Sequence, residues 1–241
     1  MSQKKNKSQP PQVALDPPEG AAPAPAPANG DGEGDAEAKK KEMEELPPFE
    51  IVEGSRIPAS SFKFQFKNVE YSSGRNKTLL CYTIDRENQI YRGYLEDEHV
   101  SAHAEEAFFT KVLPQFLASG KINVTCYVSS SPCVSCAAAI AQCLKRSKAP
   151  KLRFIMARLF QWEESEIRGA LRALRTAGAQ LSMMNGADYA QVWQNFVEPD
   201  VTFNEEGNME EQGTEQGIFI PWEDLEENAR YYEEKLNEIL R

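Results

Sequence analysis

Residues 122–143 read Ile122-Asn-Val-Thr-Cys-Tyr-Val-Ser-Ser-Ser-Pro132-Cys133-Val-Ser-Cys136-Ala-Ala-Ala-Ile-Ala-Gln-Cys143. The first part, Ile122–Ser129, alternates and is rich in Val, Thr and Tyr, which predicts a strand. Ser131-Pro132 then opens a helix through Cys143, because proline is at home in a first turn where its missing N–H goes unused. A strand feeding directly into a helix is the unit of an α/β layer, and the flanking sequence repeats it. Thr78–Asp85 and Gln89–Leu95 predict two strands joined as a hairpin by Arg86-Glu87-Asn88. Leu152–Ala157 is a short apolar strand, Glu163–Thr176 a helix stopped by Gly178, Ala179–Met184 another strand and Ala187–Val197 another helix. Five strands with intervening helices imply neighbours that become parallel after the hairpin. Further on, Pro221-Trp222 opens a helix with Leu225, Ala229, Tyr232, Leu236 and Ile239 on one stripe, an apolar face to dock on the body. Ser60–Val69 fits two patterns, since Phe62, Phe64 and Phe66 alternate as in a strand while Phe62, Phe66 and Val69 share a helix face.

Cys133 and Cys136 form a C-x-x-C pair, which by itself serves equally as a redox couple or half of a structural zinc site. Cys81, Cys126 and Cys143 are scattered singly, so no second close pair completes a four-thiolate site. A redox couple would leave His103-Ala104-Glu105 without a role. The chain has two histidines, His99 and His103, and the second falls in this context. His103, Cys133 and Cys136 together supply three ligands to one Zn²⁺ per chain and leave the fourth tetrahedral position to water, the arrangement of a catalytic zinc. Glu105 is then free to take a proton from that water and deliver it to a leaving group. The pattern matches the general H-x-E…P-C-x-x-C signature of zinc nucleobase deaminases. Ser101 is placed to cap a helix from Ala102 to about Leu113, ended by Pro114, with His103 and Glu105 in its first turn and pointing in different directions. The two cysteines share a face of the following helix, whose N-terminal dipole favours thiolate over thiol.

The net charge of −10 divides unevenly along the 241 residues. Residues 1–48 hold 6 basic and 9 acidic groups, residues 198–241 hold 3 and 14, and residues 49–197 are left at +4. That body tolerates a polyanion without requiring one. Its densest basic cluster, Lys145, Arg146, Lys148, Lys151 and Arg153, fits a solvated helix-to-strand turn as well as a phosphate contact. Residues 1–48, with Ala-Pro repeats and Gly-Asp-Gly-Glu-Gly, bury too little apolar surface to order and are expected to be a disordered acidic Pro/Ala-rich tail. Residues 49–241 are expected to form a single domain carrying an acidic loop, Glu205–Glu215, ahead of its final helix. No stretch of eighteen apolar residues and no signal-peptide pattern occurs, so a soluble protein of the cytosol or nucleus, with no membrane partner, is expected.

From about Leu46 onward the chain resembles the AID/APOBEC polynucleotide cytidine deaminases. The similarity is carried by both motif halves and by Gly74-Arg-Asn-Lys-Thr-Leu-Leu-Cys-Tyr82, Arg92-Gly-Tyr-Leu95, Ala157-Arg-Leu-Phe160 and Pro221-Trp222. Phe62–Tyr71, the Ser-Ser-Ser-Pro-Cys run and Tyr231–Leu236 are most similar to the family's muscle-expressed branch. The resemblance implies a cytidine-deaminase-like α/β/α fold, with a five-stranded mixed sheet, about six helices and Ser60–Val69 as the first of them. It further implies cytosine-to-uracil chemistry on single-stranded RNA or DNA, zinc on His103, Cys133 and Cys136, and Glu105 as the proton carrier. Thr78 falls where the family contacts the flipped nucleotide, and Phe160 and Trp162 fall in the loop that stacks on bases. Ser130 stands where active members carry a tryptophan wall, and Asp97, within Glu96-Asp97-Glu98, where many carry an asparagine against the sugar. Glu70 is an acid near the same mouth, expected in water, with the open zinc position as its other use. The edge strand of the hairpin offers a surface for a homo-oligomer.

Three functions follow. The first is a hydrolytic deaminase of single strands, supported by Glu105, which zinc binding does not need. The second is a zinc-stabilised nucleic-acid or chromatin-binding regulator with little or no turnover, which Ser130 and the acidic 96–98 stretch favour. The third is a free-nucleoside deaminase, for which the aromatic loop and added C-terminal helix are superfluous.

Overall fold

The computed structural model describes residues 51–69, 77–97, 103–117, 121–146, 150–198, 202–203, 209–210 and 218–241. The tail read over residues 1–48, together with Glu70, Glu98 and Ser101, lies outside them. Six strands form the main sheet: β1 (Ile51–Gly54), β2 (Leu79–Arg86), β3 (Gln89–Asp97), β4 (Ile122–Val128), β5 (Lys151–Met156) and β6 (Gln180–Met183). They lie in the order β1-β3-β2-β4-β5-β6. The pairs β1·β3, β2·β3 and β2·β4 are antiparallel, while β4·β5 and β5·β6 are parallel. Glu87 and Asn88 both take positive φ, 51° and 69°. That is the two-residue turn whose twist matches a hairpin.

The strand expected over Thr78–Asp85 begins and ends one residue later, and the sheet has one strand more than the sequence pattern shows. β1 is the addition. It is only four residues long, too short for alternation to stand out, and it is recruited by register, Ile51 opposite Asp97 and Gly54 opposite Tyr94. β1 therefore covers the hairpin edge that looked open to a second copy, at least over Tyr94–Asp97. Within the acidic segment Glu205–Glu215 read as loop, Met209–Glu210 pairs with Thr202–Phe203, and the rest of that segment lies outside the described residues.

Helices cover both faces, as the three-layer reading requires. On one face α2 (Ala104–Ala107), α3 (Val134–Arg146) and α4 (Ser165–Thr176) pack on Leu80, Val124, Cys126, Val128, Phe154 and Met156. On the other, α1 (Ala59–Gln65) and α5 (Gly186–Phe196) pack on Leu79, Cys81, Tyr127 and Ile155. Adjacent strand residues go to opposite layers, as the period of two demands. α1 settles the ambiguous phenylalanines as a helix. Phe62 and Phe66 are fully buried and stacked at 5.1 Å, whereas Phe64 is 42% exposed.

α6 (Leu225–Leu240) buries the stripe read from the sequence, Leu225, Ala229, Tyr232, Leu236 and Ile239. It starts three residues after Trp222. Trp222 Nε1 donates to Asn68 Oδ1 at 2.8 Å, and Asn68 Nδ2 donates to the Leu225 carbonyl at 2.9 Å. At the far end Arg172 and Arg175 donate to the carbonyls of Ile239 and Leu240 at 2.7 and 2.6 Å, placing cations on the negative pole of the helix. Among the described residues no helix is long and apolar enough to cross a membrane.

Candidate metal centre and active site

The strand β4 ends where the site begins. Ser129 and Leu79 bond reciprocally: the Ser129 N–H donates to the Leu79 carbonyl at 2.9 Å, and the Leu79 N–H donates to Ser129 Oγ at 3.0 Å. The Ser131 N–H donates to the Arg158 carbonyl at 2.9 Å, and Ser131 Oγ accepts from the Phe160 N–H at 2.8 Å. Two buried serines thus pin the turn before Pro132 to β2 on one side and to the loop after β5 on the other. The Arg158 guanidinium, itself buried, donates to the Gln65 carbonyl at the end of α1.

Cys133 precedes α3, which starts at Val134 rather than at Pro132 and runs past Cys143 to Arg146. His103 is the N-cap residue of α2, in extended conformation, so the helix starts two residues later than Ser101 capping would place it. α2 is also short. It passes into a π-helix over Phe108–Val112 and a 3-10 turn over Leu113–Gln115. The wider turn accompanies burial of Phe108, Phe109, Val112 and Leu113 together, and Pro114, lacking an N–H, closes the run.

These two helix starts bring His103, Cys133 and Cys136 together, with their donor atoms all within 4.8 Å of one another. His103 Nδ1 faces both sulfurs, 3.2 Å from Cys136 Sγ and 3.4 Å from Cys133 Sγ. Nδ1 is therefore the nitrogen offered to a cation. Burial, the Glu105 carboxylate and the Cys133 sulfur push the Cys136 thiol far above its usual range. A divalent cation deprotonates such a ligand outright. Two sulfurs and an imidazole are a donor set that fits a metal ion of borderline softness.

Glu105 is 1% exposed, and its Oε2 has no hydrogen-bond partner among the described residues. It is close enough to raise the Cys136 and Cys126 thiols electrostatically. Burial, with a further contribution from Asp97, pushes its own carboxyl up to about 7. A buried carboxyl poised at neutral pH beside a cluster of candidate metal ligands is suited to carrying protons.

Asp97 is 1% exposed, since it ends β3 on the same inward alternation as Leu95. Its carboxylate accepts from the Thr78 N–H, and its own N–H donates to the Thr78 carbonyl at 3.3 Å. Burial raises the Asp97 carboxyl, while the Thr78 amide and nearby His103 pull it down. Thr78, Asp97, His103 and Glu105 thus share one corner. Ser130 is half-buried between the two pinned serines.

A family model described as APOBEC2 matches residues 50–241. The chain belongs to the APOBEC2 family. Relatives within it include the Homo sapiens protein named C->U-editing enzyme APOBEC-2, 54% identical over 205 residues, covering 83% of this chain and 86% of the relative. The Mus musculus protein of the same name is 51% identical over 228 residues, covering 92% and 96%. The Mus musculus DNA dC->dU-editing enzyme APOBEC-3 is 31% identical over 194 residues, covering 77% of this chain and 40% of that protein.

The APOBEC2 match spans the whole corner, and it includes the loop after β5, where the two aromatics part company. Phe160 is 39% exposed. Gln161 then turns the chain with φ 40°, and Trp162 points back onto α6. There it meets the Tyr231 ring edge-on at 6.3 Å and lies under Lys235 Nζ at 5.3 Å. Trp162 packs on α6 in this APOBEC2-family chain, and Phe160 is the exposed aromatic of the two. Ser129, Ser131 and Arg158 escaped the sequence reading, although serines flanking a Pro-Cys turn are the residues that bond neighbouring backbone.

Proposed function

We propose that the protein is a zinc-dependent hydrolytic deaminase converting cytosine to uracil in single-stranded nucleic acid. The observation that carries this is the buried, unpartnered Glu105 carboxylate beside the His103–Cys133–Cys136 cluster. When bound, zinc supplies a Lewis acid that lowers the pKa of a water towards neutrality. His103 Nδ1 and the two sulfurs would hold it, leaving Glu105 unligated. Glu105 takes a proton from the attacking water and gives it to the ring nitrogen, then takes the remaining hydroxyl proton and gives it to the departing ammonia. The water oxygen ends on the amine-bearing ring carbon and the C–N bond breaks, so the reaction needs no redox partner. Thr78, oriented by Asp97, and exposed Phe160 border the entrance for a flipped nucleotide. The names of the APOBEC-2 relatives support the cytosine-to-uracil direction, and the APOBEC-3 relative is named for DNA. Reduced cysteines and the apolar pattern support a cytosolic or nuclear setting.

A second reading, a strand-binding regulator with little turnover, is favoured by Trp162 docking on α6 and by Ser130 in place of an aromatic wall. Incubating the zinc-loaded full chain and its Glu105→Ala variant with a pool of single-stranded RNA and DNA separates the two. The enzyme reading expects uracil from wild type alone. Strand binding with equal, background uracil from both proteins would establish the regulator instead.

A further inference from the structure

The layer containing α1 and α5 covers only half of its sheet face. Register places Arg92, Thr83, Thr125, Arg153 and Gln180 in one continuous row across β3, β2, β4, β5 and β6. The next row towards the site, with Cys81, Tyr127 and Ile155, lies beneath the helices. The Arg92 row does not: both arginines and Gln180 are exposed, and the two threonines between them are half-buried. One row further out, Lys151 is exposed beside Asn123 and Asp85. The acid there is already engaged, Asp85 accepting from Asn123 Nδ2 at 3.3 Å. Asp188, the α5 acid that with Arg153 acts on Tyr127, accepts from the Asn185 N–H at 3.0 Å.

We infer that this open row is a second nucleic-acid contact, binding the phosphate backbone of a single strand without reading its bases. It rests on the polynucleotide reading above and adds to it a surface on the opposite face of the sheet. Four strands set the two arginines about 14 Å apart, three inter-strand spacings, the span of a few nucleotides. Between them the Thr83 and Thr125 hydroxyls are neutral donors of the kind that bond phosphate oxygens. Guanidinium forks at both ends match phosphate geometry. No aromatic ring stands in the row, so base stacking contributes nothing and the affinity is indifferent to sequence. The row lies about 13 Å along β2 from Leu79, where the strand enters the candidate active site. A substrate therefore gains affinity here without touching the reacting base.

The test uses the zinc-loaded full chain, fluorescent single-stranded oligonucleotides of random and uniform sequence, and a salt series. Arg92→Gln with Arg153→Gln should weaken binding to all sequences alike. It should also flatten the slope of log affinity against log salt by about 1.4, two phosphate contacts at about 0.7 each on a single strand. Uracil formation at saturating strand should stay at the wild-type rate. Arg92→Lys with Arg153→Lys keeps the charge and should restore the slope, which separates a contact from a folding defect. An unchanged slope in the glutamine variant, alongside wild-type strand binding and Glu105-dependent uracil, overturns this surface and leaves the proposed function standing. Absence of any strand binding by wild type overturns both.

Discussion

Two carboxylates a few residues from one another, Asp97 and Glu105, show how placement decides chemistry. Both are 1% exposed, but the Asp97 carboxylate is occupied by the Thr78 amide, whereas Glu105 keeps an oxygen unpartnered among the described residues. An unpartnered buried oxygen costs free energy, of order 1–3 kcal/mol, which a protein keeps where a substrate or water completes it. The cysteines sort the same way. Cys81 and Cys126 are fully buried, and burial pushes both thiols far up. In metal-loaded native protein a thiol reagent should therefore modify half-buried Cys143 first. Chelation should add Cys133 and Cys136, and Cys81 and Cys126 should react only on unfolding. Thiol counting by mass spectrometry checks this order, and early labelling of Cys81 would contradict the packing described.

Among the elements, α1 was legible only in part, because three phenylalanines at alternate positions satisfy strand and helix patterns alike. What separates the patterns is tertiary: Phe62 has Trp193 at 5.5 Å and Phe219 at 5.9 Å, both edge-on, and Phe64 is 42% exposed. Phe62→Ala should cost about 3–5 kcal/mol and Phe64→Ala no more than about 0.5 kcal/mol, measured by urea denaturation. A strand would have penalised both. The amphipathic helix α6 was readable from its stripe, since a helix needs only its own periodicity. β1, the π-helical continuation of α2 and the docking of Trp162 were not, because each depends on a partner distant in sequence. That docking predicts a division of labour in the loop after β5. Trp162→Ala should lower stability by about 2–4 kcal/mol. Phe160→Ala should leave stability nearly unchanged and weaken strand binding by about 1–3 kcal/mol, the usual worth of a stacked base. Equal stability losses would mean that the two rings share one role.

Across the whole molecule, the strings of candidate metal ligands were legible because metal ligands of fixed type leave a fixed spacing, and the sheet topology then accounts for their meeting. Thr78 on the approach to β2, Asp97 at the end of β3, His103 and Glu105 at the start of α2, and the cysteines at the start of α3 converge on one end of the sheet. There loops and helix starts supply unpaired backbone and oriented charge. A net charge of −10 is compatible with the proposed polyanionic substrate because the acids lie mostly in the terminal segments. The proposed chemistry requires Glu105 to be a proton carrier that is not a ligand. Metal content and uracil formation should therefore be measured on the same preparations of wild type, Glu105→Ala and Cys133→Ser. Wild type should hold one zinc and form uracil, Glu105→Ala should hold one zinc and form none, and Cys133→Ser should lose both. Loss of zinc from Glu105→Ala, or uracil formed by it at the wild-type rate, would contradict the account.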